Sequence, residues 1–233
     1  MQAEIIAVGS ELLLGQIVDT NSAFIAREFV DLMEKGKNPT VGTLAHLGQV
    51  DIRIAAKGAD AADASRMIEA VEAEIRQRLG DIVFGVDEDT LEGQITARLR
   101  AGGARVAVAE LGSAGAGAER LATGAAEGFA GGVILVRRDE ARRLAGDADA
   151  TGSAQERAER LAEAVRKWSG VEIGLATVFE DVPDTTPPVT VVGIAVARGG
   201  RRVGREHRLG GDRPSLRIRT ATLALDLLRR SLS

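Results

Sequence analysis

From residue 90 to the end of the chain, short β-branched segments alternate with amphipathic helical segments, and this alternation constrains the fold most strongly. The patterns predict helices over Thr90–Arg100, 139–145, 153–168 and 215–231, a helix ending at Ala126, and strands over 105–109, 132–136, 173–177, 189–197 and 203–209. Gly199 and Gly200 join the last two strands as a hairpin. Strands and helices in this order are typical of a three-layer α/β/α domain.

The N-terminal part predicts a smaller α+β domain with the order β-α-β-β-α-β. Its strands are expected at 4–9, 40–46, 50–56 and 82–84, with helices over 22–36 and 63–79. The acidic stretch Asp87-Glu88-Asp89 marks the predicted boundary, which gives domains over residues 1–88 and 89–233. We expect the first strand and helix to pack with the remainder of the small domain, because an isolated strand would leave an open edge.

Composition excludes several classes of site. The 233 residues contain no cysteine and two histidines, His46 and His207, far apart in the chain. A disulfide scaffold, a cysteine-ligated metal and a thiol nucleophile are therefore excluded, and we predict no metal and no cofactor. The formal net charge of −4 argues against a dedicated nucleic-acid binder. The first residues do not have the pattern of a signal peptide, and no apolar run reaches about 20 residues, so we expect a cytoplasmic protein with no membrane partner.

Two loops in the second domain could bind a ligand, because ligands of such folds bind where strands end and helices begin. In the first, residues 109–115, the backbone around Gly112 and Gly115 could hold an anion beside the Ser113 hydroxyl; tight packing of small residues is the alternative. In the second, Gly211, Asp212 and Arg213 could bind a phosphate, or they could simply begin a capped helix.

A third loop, residues 9–21, carries two carboxylates, Glu11 and Asp19, that could ligate a cation. The alternative, which we favour, is that Asp19 or Asn21 caps the following helix.

At these loops the sequence resembles the competence/damage-inducible (CinA) family. MQAEIIAVGSELLLGQIVDTN is similar to the opening of that family's molybdopterin-binding-like domain, and KNPTVGTLAHLGQVDIRIAAK to its middle domain. VAVAELGSAG, GGVILV and GGDRPSLRIRTATLALDLLRR resemble a diverged CinA C-terminal domain. The resemblance divides residues 1–88 into a shortened first-domain remnant (1–29) and a middle domain (30–88).

The resemblance implies a nicotinamide-nucleotide amidase (NMN deamidase) in the C-terminal domain. The family's reactive serine, tyrosine and lysine correspond here to Leu111, Val136 and Ala141, none of which can attack a carbon or transfer a proton. Full-length relatives are also associated with ADP-ribose pyrophosphatase activity. The shortened first domain, which lacks the family's Gly-rich segments, argues against that activity here.

We therefore expect a CinA-like protein with a degenerate amidase domain that still binds an NMN-like ligand or a partner, and we expect a homodimer. The alternative is an active amidohydrolase in which Ser113 is a relocated nucleophile and Glu110 its acid–base partner. In either case Gly112, Gly115, Gly211, Asp212 and Arg213 are the candidate substrate-binding residues. RNA binding by the small domain has little support, because it has no G-x-x-G clamp and no aromatic stacking surface.

Overall fold

The computed structural model describes residues 31–32, 37–46, 48–146 and 152–232. The chain divides into two compact units, residues 1–83 and residues 84–233. The predicted strand 4–9, most of the predicted helix 22–36 and the loop 9–21 lie outside the described residues. In the part of the chain that is described, no helix is both long and apolar enough to cross a membrane.

The N-terminal unit contains an antiparallel hairpin and one long helix. Strands β1 (Thr40–His46) and β2 (Gln49–Ala55) pair in register from Thr40 with Ala55 to His46 with Gln49. Helix α1 (Ala61–Leu79) begins at Asp60, whose side chain accepts a hydrogen bond from the Asp63 N–H. Its apolar face packs on the hairpin to form a small core.

The predicted strand at residues 82–84 is wrong. Residues Gly80–Ile82 form one 3-10 turn, in which the Val83 N–H donates to the Gly80 carbonyl at 3.3 Å. Gly80 lies at the end of α1 with a φ of 58°, which reverses the chain there. A local turn has prevailed over the β propensity of three apolar residues, because that propensity stabilises only a segment that finds a strand to pair with.

The C-terminal unit is built on a five-stranded sheet. Its strands are β3 (Val106–Leu111), β4 (Phe129–Leu135), β5 (Ile173–Val182), β6 (Val189–Arg198) and β7 (Arg201–Gly210), in the order β4-β3-β5-β6-β7. Strands β4, β3 and β5 are parallel, whereas β6 and β7 complete the sheet as an antiparallel hairpin. The helices are α2 (Leu91–Ala101), α3 (Ala116–Gly124), α4 (Arg138–Ala145), α5 (Ala154–Ser169) and α6 (Arg213–Ser231).

The helices cover both faces of this sheet. Helices α2, α3 and α6 pack on one face around Ile95, Leu121 and Leu225, and helices α4 and α5 pack on the other around Leu161 and Val165. The second face is lined by small residues, and α5 approaches it closely. A Cβ on Gly174 would lie 1.9 Å from the Ala162 carbonyl oxygen, so only glycine permits this approach. The predicted three-layer α/β/α class is confirmed.

Helix α5 begins as predicted. Ser153 accepts a hydrogen bond from the Glu156 N–H, and the Glu156 side chain accepts one from the Ser153 N–H in return, which completes a capping box.

Strand β5 is longer than its sequence indicates. The predicted strand ends at Thr177, whereas pairing with β6 continues to Val182 opposite Val189. As a result Phe179, Glu180 and Asp181 belong to a strand rather than to a loop, and they lie at the carboxyl edge of the sheet.

Candidate functional site

Glu110 and the first turn of α3 form one buried hydrogen-bonded unit at the end of β3. The Glu110 side chain is fully buried. Its Oε1 accepts a hydrogen bond from the Ala118 N–H at 2.7 Å, and its Oε2 accepts one from the Gly115 N–H at 3.0 Å. A carboxylate at this end of a helix satisfies backbone N–H groups that have no partner within the helix. Both oxygens of the predicted acid–base residue are thus occupied by the helix that follows it.

Ser113 is joined to the same unit. Its hydroxyl donates to Glu110 Oε2 at 2.5 Å and lies 2.8 Å from the Thr177 hydroxyl on β5. Because the Ser113 proton is directed to a carboxylate, Thr177 is the donor of the second bond. Ser113 is 1% exposed. The structure therefore brings the two predicted catalytic residues together, but it surrounds them with protein.

The two glycines of this loop have backbone roles. Gly115 precedes α3 with a φ of 88°, a left-handed conformation, and its N–H donates to Glu110 Oε2. Gly112 has a φ of 92°, and a Cβ on it would lie 2.6 Å from the Phe179 Cβ. Glycine is required at Gly112 both by the backbone angle and by this close contact with β5.

The second predicted loop begins helix α6. The Asp212 side chain accepts hydrogen bonds from the Ser215 N–H at 2.8 Å and from the Ser215 hydroxyl at 2.9 Å. These bonds hold the pKa of the Asp212 carboxyl below its usual value. Arg213 forms an ion pair with Asp181, and its guanidinium lies 5.8 Å from the centre of the Phe179 ring. Gly211 has a φ of 122°, and a Cβ on it would meet nothing within 4 Å.

The sheet separates these residues from a cavity on its other face. Successive side chains of a strand point to opposite faces, so Glu110 is directed toward α3 while Leu111 is directed toward α4 and α5. On β5, Phe179 joins the core under α6, whereas Val178 and Glu180 face α5. Leu111, Val178 and Glu180 line an open cavity that includes none of the seven predicted site residues.

Four arginines line this cavity, and sequence reasoning did not select them. Arg138 and Arg142 project from α4, and Arg157 and Arg160 project from α5. Each pair follows helical spacing of four or three residues, which places its members on one face of a helix. The spacing is a signal in the sequence, but it identifies a site only once the two helices are known to converge.

The three positions that the resemblance equates with the family's amidase residues do not lie together in the structure. Leu111 and Ala141, which it equates with the serine and the lysine, both line the cavity. Val136, which it equates with the tyrosine, follows β4 and is 86% exposed. Among the described residues, no three His, Asp or Glu side chains form a group that could hold a metal ion.

Two family models match the chain. Residues 23–85 match the damage-inducible protein CinA KH domain, and residues 88–232 match the CinA C-terminal domain. Among curated proteins, a CinA-like protein of Frankia casuarinae is 37% identical over 88% of this chain and 49% of its own length. A CinA-like protein of Gloeothece citriformis is 34% identical over 96% of this chain and 57% of its own length. The chain thus spans about half the length of the curated relatives it matches.

Solved structures show the same fold. A CinA superfamily protein from Klebsiella pneumoniae is 21% identical and superposes with a TM-score of 0.55, covering 61% of this chain and 95% of its own. A competence or damage-inducible protein from Enterobacter asburiae also gives a TM-score of 0.55, at 20% identity. Since the C-terminal domain model alone matches more than half of the sequence, the chain belongs to the CinA family.

Proposed function

We propose that the C-terminal unit is a CinA-type domain that binds a small ligand and does not hydrolyse amides. One observation carries this proposal: the hydroxyl of Ser113, the candidate relocated nucleophile, is buried and donates to a carboxylate that holds the start of α3. A nucleophilic hydroxyl must reach the substrate carbon within about 3–3.5 Å, and a group enclosed by its own domain does not.

The residues around the cavity support the same proposal. Its walls present alkyl side chains and guanidinium groups, together with one carboxylate, Glu180, which is paired with Arg157. Arginine remains protonated at neutral pH, so it can bind an anion but cannot act as a general base. The cavity therefore has the chemistry of a binding site.

The direct test is ammonia release from nicotinamide mononucleotide by the purified chain and by the Ser113→Ala variant. We expect no release above the buffer control from either protein. Because the substitution removes a buried hydrogen bond to a charged group, we also expect it to lower the free energy of unfolding by about 1–3 kcal/mol. Turnover that is lost in Ser113→Ala would establish the relocated nucleophile and overturn the proposal. Turnover that survives would overturn it as well and would place the nucleophile elsewhere.

A further inference from the structure

Helix α4 contains three arginines and a fourth lies at its N-cap, and the four fall into two groups. Arg137, at the cap of the helix, and Arg143 both form ion pairs with Asp139. Arg138 and Arg142 line the cavity, and their side chains form no hydrogen bond or ion pair with any residue that the structure describes. Among the described residues, the two arginines outside the cavity lining therefore have a carboxylate partner, and the two that line the cavity do not.

This arrangement concentrates positive charge in one place. The four arginines and one glutamate of the cavity carry a formal charge of +3. Arg138 and Arg142 are also four residues apart on one helix, a spacing at which like charges destabilise the helix. An anion bound between α4 and α5 would relieve both repulsions, and guanidinium groups bind phosphate and carboxylate oxygens in pairs.

The remainder of the cavity wall is apolar. It consists of Leu111 at the end of β3, Val178 within β5, Ala141 and Ala145 on α4, and Leu161 on α5. Small-molecule sites commonly combine such an apolar wall with a few polar groups that fix the orientation of the ligand. A ligand that matches both parts has an apolar body and an anionic head.

We infer that this cavity binds a small organic anion with an uncharged apolar body, such as a phosphate monoester of an aromatic alcohol. The inference rests on the proposed function, in which the domain binds a ligand but does not react with it. It also sets an order of preference among ligands. Nicotinamide mononucleotide has a positively charged pyridinium ring, which the arginines repel, so an uncharged ring with the same phosphate binds more tightly.

The test uses phenyl phosphate as the probe in calorimetric titrations of the full chain. We expect it to bind more tightly than inorganic phosphate, which has no apolar body, than benzyl alcohol, which has no charge, and than nicotinamide mononucleotide. The double variant Arg138→Gln/Arg142→Gln should bind phenyl phosphate at least about tenfold more weakly, because it removes two of the positive charges that line the cavity. Both residues are exposed, so the fold should tolerate the change.

The matched control is Arg201→Gln/Arg202→Gln, which removes two exposed arginines of β7 that lie outside the cavity. This control changes the net charge by the same amount as the cavity variant. Its affinity for phenyl phosphate should remain within about twofold of the wild type. The inference would be overturned if both double variants bound phenyl phosphate equally weakly, or if the cavity variant bound it as tightly as the wild type. It would also be overturned if the wild type bound inorganic phosphate as tightly as phenyl phosphate. Ammonia release decides the proposed function separately, because neither double variant alters Ser113 or Glu110.

Discussion

The Ser113 hydroxyl donates to the Glu110 carboxylate across 2.5 Å, and neither residue reaches solvent. A serine and a carboxylate at hydrogen-bonding distance are the elements of a nucleophile and its base. Here the same carboxylate also accepts the Gly115 and Ala118 N–H groups, so its position is fixed by the helix rather than by a substrate. Proximity of reactive groups therefore does not indicate catalysis unless one of them can be reached.

The first prediction concerns Glu110 as the buried cap of α3. Glu110→Gln keeps the size of the side chain but replaces one acceptor oxygen by an NH2 group, which would face a backbone N–H. We expect the free energy of unfolding to fall by about 1–3 kcal/mol, the range for leaving a buried polar group unsatisfied. Urea unfolding followed by circular dichroism measures the change.

The control for this change is Glu119→Gln, which removes a carboxylate from α3 itself. Glu119 is exposed, and its side chain forms no ion pair with the described residues. Its substitution should alter stability by no more than about 0.5 kcal/mol. If both variants are equally stable, the carboxylate of Glu110 does not hold the helix, and Glu110 becomes available for a role in binding or catalysis.

The second prediction concerns the close approach of Gly112 to Phe179. Gly112→Ala places a Cβ 2.6 Å from the Phe179 Cβ and also forces a φ of 92° on an L-residue. We expect the free energy of unfolding to fall by about 2–4 kcal/mol, because the substitution causes both overpacking and backbone strain. Thermal unfolding or urea titration would measure it.

Gly103→Ala separates the two contributions. Gly103 also has a positive φ, 56°, but a Cβ on it meets nothing within 4 Å. The substitution Gly103→Ala should lower the free energy of unfolding by about 1 kcal/mol, from backbone strain alone. If Gly112→Ala is no less stable than Gly103→Ala, the loop moves away from β5 to accept the Cβ. The loop would then not be packed rigidly against β5.

The fold was predictable because its signals are local and repeated. Helices α5 and α6 bury apolar residues at helical spacing, and their caps at Ser153 and Asp212 are visible in the sequence. Strand ends were less predictable. The strand β5 extends to Val182 because β6 pairs with it, and that pairing depends on residues far away in the chain.

The candidate site was predictable only in part. The motif at residues 109–115 indicates which loop follows β3, but one residue of difference decides which face of the sheet a side chain reaches. Glu110 and Leu111 are adjacent, yet the first is buried under α3 and the second lines the cavity. The sequence does not indicate that α4 and α5 converge, so the arginines of the two helices are brought together only by the packing of the fold.

The third prediction concerns acid stability and the ion pairs of Glu163 on α5. Its carboxylate accepts hydrogen bonds from Arg166 at 2.8 and 2.9 Å and lies 3.3 Å from the Lys167 ammonium, and these partners lower the pKa of Glu163 to about 2. A carboxyl whose pKa is lower in the folded state contributes stability that is complete above its unfolded pKa and is lost as the pH falls toward the folded value.

Glu163→Gln should therefore be less stable than the wild type at about pH 7, by up to about 1 kcal/mol for a pair that is partly exposed to solvent. The difference should narrow as the pH falls from about 4.5 toward about 2, where the wild-type carboxyl is itself protonated. Urea unfolding of both proteins across this range gives the two curves, with Glu119→Gln as the control for removing one negative charge. Curves that stay parallel down to the lowest pH would mean that the contacts with Arg166 and Lys167 do not stabilise the folded state through the charge of Glu163.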